Sequence, residues 1–89
     1  MIDPKDSLIE YPCDFPIKVF GTAQQGFAQA IAEVVVAHDP GFDAATIEMR
    51  SSTGAKYLSL TCTIRATSRE QLDSLYRALT AHPMVKMVL

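Results

Sequence analysis

The chain has 89 residues, 48% of them hydrophobic, with eight basic against ten acidic side chains and a formal charge of −2. That length gives room for one domain with one core, which buries roughly 60 to 65% of the surface exposed by the unfolded chain, so a second subunit would add usefully to stability. The charge balance argues against a dedicated nucleic-acid binder, whose phosphate contacts need concentrated Lys and Arg.

No apolar run reaches the roughly 18 residues of a membrane span. The opening MIDPKDSLIEYP lacks the basic-then-apolar order of a secretory signal, so a cytoplasmic protein with no membrane contact is expected. Cys13 and Cys62 are the only cysteines. Their separation and the expected compartment argue against a disulfide.

Residues 1–15 contain Asp3, Pro4, Asp6, Pro12 and Asp14, a turn-rich composition that predicts a loosely ordered lead-in. Leu8, Ile9 and Tyr11 are the side chains that could pin it to the core. A domain over 16–89 follows. FPIKVFG, residues 15–21, alternates Phe15, Ile17 and Val19 with Pro16, Lys18 and Phe20, which predicts a strand near 16–21.

The period then changes. Thr22 and Gln25 have capping-box spacing, and Phe27, Ala30, Ile31, Val34 and Val35 recur at helical intervals, predicting a helix over about 23–38. Gly26 falls in its first turns, where a missing side chain permits close packing on the sheet. Asp39-Pro40-Gly41 stops the helix, because proline cannot donate to the ladder.

FDAATIEMR sets Ala45, Ile47 and Met49 opposite Thr46, Glu48 and Arg50, so a strand is expected near 44–50. SSTG, residues 51–54, suits a hairpin connection, with Gly54 fit for a left-handed position. YLSLTCTIRA carries the clearest alternation: Leu58, Leu60, Cys62, Ile64 and Ala66 on one face, Tyr57, Ser59, Thr61, Thr63 and Arg65 on the other. Thr67 with Glu70, or Ser68 with Gln71, can cap a second helix with a stripe of Leu72, Leu75, Tyr76 and Leu79, ended by His82-Pro83. VKMVL closes the chain as a last strand near 84–89.

The order βαββαβ, with right-handed crossovers, predicts an α+β ferredoxin-like domain: a four-stranded antiparallel sheet with both helices on one face. The first and third strands are expected at its centre, and the other face stays open. Leu60, Ile64, Leu72, Leu75 and Leu79 should share the core.

RNA recognition motifs have the same element order, so the open face is tested against them. Their third strand carries a basic residue, glycines and outward aromatics. Here TGAKYLSLTCTI, residues 53–64, offers Tyr57 as its one ring, and Ser59, Thr61 and Thr63 stand where a stacking platform would be. Phe20 could add a second ring from the first strand. Nucleic acid is therefore not an expected partner. Small hydroxyls beside two rings suit a protein interface, since little charge has to be desolvated.

Chemistry finds little to use. His38 and His82 end the two predicted helices, which are expected to run parallel and so place both imidazoles at one end with Asp39, Asp14 and Cys13. No metal-binding spacing holds these residues together, and a histidine near a helix C-terminus has ready carbonyl partners, so no metal is expected. SSTG lacks the Walker pattern and GTAQQG, residues 21–26, is not GxGxxG, so no nucleotide cofactor is expected. Cys62 faces the core and should be an inert thiol, and no nucleophile stands beside a base.

Three stretches carry a family resemblance: FPIKVFG at 15–21, SLTCTIRATSREQLDSLYRAL at 59–79 and HPMVKMVL at 82–89. With Gly21, Tyr57, Thr67, Leu75, Tyr76, Val85 and Leu89 they resemble the YbeD family of small bacterial proteins. The resemblance implies a ferredoxin-like fold related in arrangement to ACT regulatory domains, a suggested association with lipoate metabolism, and no catalytic residue. The functional expectation is a noncatalytic binding or regulatory adaptor with an unidentified protein partner. Its interaction surface is centred on Phe20, Tyr57, Ser59, Thr61 and Thr63, and a homodimer is among the candidates. The alternative is an ACT-like sensor of a small metabolite, with Gly21 and Thr22 at the ligand site.

Overall fold

A computed structural model describes residues 10–52, 54 and 56–89. Its elements are β1 (Cys13–Thr22), α1 (Phe27–His38), a 3-10 turn (Ala44–Thr46), β2 (Glu48–Ser51), β3 (Tyr57–Ala66), α2 (Arg69–Thr80) and β4 (Val85–Val88). The strands form one sheet in the order β2-β3-β1-β4, with every neighbouring pair antiparallel. The ferredoxin-like expectation is met, with β1 and β3 central.

The long central pair follows directly from the two alternating sequences. All ten residues of β1 pair with β3, from Cys13 opposite Ala66 to Thr22 opposite Tyr57. Ile17 and Val19 from β1 and Leu60, Cys62, Ile64 and Ala66 from β3 are buried beneath the helices. Phe27, Ile31 and Val35 of α1 and Leu72, Leu75 and Leu79 of α2 complete that core. Full burial of each large apolar side chain contributes about 1.5 to 3 kcal/mol.

The entry to α1 differs from the expected capping box. β1 continues through Thr22, and Ala23 N–H donates to the Lys56 carbonyl at 2.9 Å, so the chain is still held to the sheet where the helix was expected to begin. Gly26 is the N-cap, at φ +85°, with no side chain bonding the helix amides. A Cβ there would meet nothing within 4 Å, so this glycine answers a left-handed backbone and not close packing. Close packing belongs to Gly21, where a Cβ would lie 2.5 Å from Phe27 Cζ and collide with the Met84 carbonyl. The β1–β4 register shifts between Phe20 and Gly21 at that point.

β2 is shorter than expected, beginning at Glu48 and not near 44. Asp43 Oδ1 accepts from Ala45 N–H at 2.9 Å, and the Asp43 carbonyl accepts from Thr46 N–H at 3.0 Å, so these residues close a turn in place of a ladder. The start of α2 uses the Ser68 and Gln71 pair. Ser68 Oγ accepts from Gln71 N–H at 3.1 Å, while Gln71 Oε1 accepts from Thr67 N–H at 2.6 Å.

The predicted lead-in falls mostly on residues 1–9, which with Thr53 and Ala55 lie outside the described residues. Leu8 and Ile9 are among them. Tyr11 packs half-buried against the core and β1 starts at Cys13.

Candidate functional site

Among the described residues no helix or strand covers the face of the sheet away from the helices, and register assigns its side chains. The β3 face Tyr57, Ser59, Thr61, Thr63 and Arg65 adjoins Thr22, Phe20, Lys18, Pro16 and Asp14 of β1 in that order. β2 adds Glu48 beside Thr61 and Arg50 beside Ser59. On the other edge Met87 stands opposite Phe20. Leu89 and Lys18 exchange backbone hydrogen bonds of 2.8 and 3.0 Å, which sets Leu89 on the same face. One row across the sheet thus reads Arg50, Ser59, Phe20, Met87, and the next reads Glu48, Thr61, Lys18, Leu89.

This face holds Phe20, Tyr57, Met87 and Leu89, the last three 49%, 49% and 61% exposed. Phe20 and Tyr57 are diagonal neighbours across β1 and β3 and border a depression of about 180 Å³ with Arg50, Ser51, Ser52, Leu58 and Ser59. The five residues expected on the face are brought together. VKMVL alone does not single out Met87 or Leu89, because their side follows from a register with β1 that lies far away in sequence.

Gly21 and Thr22 do not share a surface. Gly21 is buried against Phe27 and Met84, so the protein fills the space its missing side chain leaves, while Thr22 is exposed on the open face. The histidines are separated as well, contrary to the expected shared end. Because β1 and β3 run antiparallel, the helices that follow them also run antiparallel. The start of α2 meets the end of α1, with Gln71 Nε2 donating to the His38 carbonyl at 2.9 Å. His38 Nδ1 lies 2.9 Å from the Val34 carbonyl, and His82 Nδ1 accepts from Met84 N–H at 3.1 Å. The His38 ring serves the end of α1, while the His82 ring serves the turn that leads from α2 into β4. Among the described residues no three His, Cys, Asp or Glu side chains gather as a metal site.

Cys62 is buried, and burial pushes its thiol from 9.0 up to about 11. A thiol so shielded is a poor nucleophile near neutral pH. Cys13 and Cys62 are both free. No helix of the described residues is long and apolar enough to cross a membrane.

These features define a small ferredoxin-like domain with a partly apolar open sheet face. The chain belongs to the family described as "Protein of unknown function (DUF493)", whose model matches residues 6–89. It is 66% identical over 88 residues to a UPF0250 protein of Bordetella pertussis, covering 99% of this chain and 97% of that one. A UPF0250 protein of Nitrosomonas europaea is 62% identical over 85 residues, covering 96% and 98%.

These matches correct the family expected from the three motifs: the full-length similarity carries the DUF493 and UPF0250 names, not YbeD. Short strand and helix motifs locate elements of the fold more firmly than they name a family. Among solved structures, the solution structure of protein HP0495 from H. pylori superposes with a TM-score of 0.75 at 19% identity, covering 100% of this chain and 97% of that one. The ACT domain of a GTP pyrophosphokinase from Chlorobium tepidum gives 0.58 at 20% identity, covering 86% and 97%. At such identities the likeness is one of fold alone.

Proposed function

We propose that this chain is a noncatalytic protein-binding or regulatory adaptor that docks a protein partner on its open sheet face. The observation that carries the reading is the cross-strand grouping of Phe20, Tyr57, Met87 and Leu89, with Ser59, Thr61 and Thr63 beside them. Exposed apolar side chains rimmed by polar ones mark interaction surfaces, and hydroxyls are desolvated at less cost than charges. Lys18, Arg50 and Glu48 lie around the rings and would set orientation more than affinity.

The metabolite-sensor alternative has less support. An ACT domain shares the arrangement, yet the glycine expected at the ligand site is occupied from within by Phe27.

The test compares wild type with Tyr57→Ser and Met87→Lys as bait, identifying bound proteins by mass spectrometry and measuring affinity for the one recovered. Tyr57 and Met87 lie outside the core, so both variants should keep the fold. Loss of at least about tenfold in affinity in each variant is expected, as for an aromatic or central apolar interface residue. Unchanged binding in both would defeat the reading.

A further inference from the structure

The β2 edge carries a pattern that the open-face reading does not use. Ser52 N–H donates to the Tyr57 carbonyl at 2.9 Å, and Ser52 is in line with the β2–β3 register. Hydrogen-bonding residues alternate along an antiparallel strand, so Arg50 and Glu48 also turn their backbone groups toward β3, and Met49 and Ser51 turn theirs outward. Met49 is 54% exposed on the helix side. It borders a groove of about 280 Å³ with Ala28, Gln29, Ala32, Ala44 and Ile47. The small residues of α1 leave the hydrophobic layer incomplete there, and Val36, one turn beyond Ala32, is exposed too.

The sequence across this edge is Glu48-Met49-Arg50. An antiparallel two-fold pairing centred on Met49 sets Met49 against Met49 of the second copy, Glu48 against Arg50 of the second copy, and Arg50 against its Glu48. Backbone groups of Met49 meet their counterparts, and Ser51 N–H reaches the carbonyl of Ile47 of the second copy. Both methionines then lie on the helix side over the two alanine-lined grooves, and both ion pairs lie on the open face. Among the described residues neither Glu48 nor Arg50 has an ion pair within the chain, so each charge is available to the other copy.

The same charges oppose other registers. A shift by two residues places Glu48 against Glu48 or Arg50 against Arg50, and like charges directly opposite destabilise a sheet. Edge charges usually discourage strand addition. Here their order favours the Met49-centred register over its two-residue neighbours.

We propose that the protein self-associates through β2, joining two four-stranded sheets into one continuous sheet across a two-fold axis at Met49. The pairing goes beyond the adaptor reading and leaves both open faces exposed on the same side for a partner. An isologous interface of this kind needs only self-complementarity.

Sedimentation equilibrium over a roughly hundredfold concentration range tests the pairing by mass action. Wild type should be a dimer that dissociates on dilution. Glu48→Arg alone, and Arg50→Glu alone, should each weaken it by at least about tenfold, since each creates two like-charge contacts. The double variant Glu48→Arg with Arg50→Glu should recover to within about threefold of wild type, because the swap restores both pairs. Met49→Pro, which removes an N–H that the monomer's ladder does not use, should give a folded monomer by circular dichroism.

A wild-type monomer at every concentration overturns the proposal. So does a dimer unmoved by either single reversal, or a double variant as weak as the singles. Dissociation by Tyr57→Ser but not by Glu48→Arg would show that the copies meet through their open faces, which overturns β2 pairing while leaving the adaptor surface standing. Loss of the bound partner by Tyr57→Ser with the dimer intact separates the two surfaces in the opposite sense.

Discussion

Asp39 and Arg65 are joined through main chain, not charge: Arg65 N–H donates to Asp39 Oδ2 at 2.9 Å. Asp39 caps α1 and is only 8% exposed, so one carboxylate ties the end of the helix to the end of β3. The Arg65 guanidinium instead meets Asp14 at 3.2 Å in an exposed pair. Asp39→Ala should cost about 1 to 3 kcal/mol, because a part-buried N–H loses its acceptor. Asp14→Ala should cost less than about 1 kcal/mol, as solvent screens the exposed pair. Urea unfolding of both variants checks the contrast, and equal losses would contradict it.

Leu75 is wholly buried where α2 packs on the sheet. Leu75→Ala should destabilise by about 2 to 5 kcal/mol, adding a cavity to the lost transfer energy. Denaturant unfolding reads the change. A loss below about 0.5 kcal/mol would mean that the core collapses almost completely into the space.

Gly21 and Gly26 predict different consequences of the same substitution. At Gly21 an added methyl meets Phe27 and the Met84 backbone, so Gly21→Ala should cost about 1 to 3 kcal/mol or more and shift the Phe27 ring resonances. At Gly26 the space is empty and only the positive φ resists, which costs about 1 to 2 kcal/mol and should leave the Phe27 ring where it is. Proton chemical shifts of the ring, measured beside thermal stability, distinguish crowding from backbone strain. Ring shifts of equal size in both variants would contradict the assignment.

How far the fold could be read from sequence depends on how local its determinants are. β3 was legible because ten residues alternate without a break, and α2 because Leu72, Leu75 and Leu79 repeat above a Ser68 cap. Alternation of Ala45, Ile47 and Met49 extends the expected β2 beyond its true start, because the Asp43 turn consumes the amide of Ala45. The Thr22 cap failed for a tertiary reason: pairing with Tyr57 keeps Thr22 in the sheet. His38 and His82 do not share an end because the antiparallel β1 and β3 impose antiparallel helices. Phe20, Tyr57 and the three hydroxyl residues could be placed on one face by alternation. Met87, Leu89 and the relation of Glu48 to Arg50 needed register across strands, which periodicity within one segment does not carry.

Cys62 supplies a prediction that depends on pH. Its thiol is raised from 9.0 to about 11 by burial. Because the folded value exceeds the unfolded one, the contribution to stability is fully present below about pH 9 and is lost as pH rises toward and through about 11. Cys62→Ala should therefore show a shallower decline in denaturation midpoint than wild type across that window, even though it begins less stable from the lost packing. Near pH 8 a thiol reagent should label half-buried Cys13 well before Cys62, whose modification waits for opening of the core. Mass spectrometry of the labelled peptides follows the two sites separately. Equal labelling rates in the native protein, or identical pH slopes for wild type and Cys62→Ala, would show that the β3 thiol is more accessible than its position beneath the helices implies.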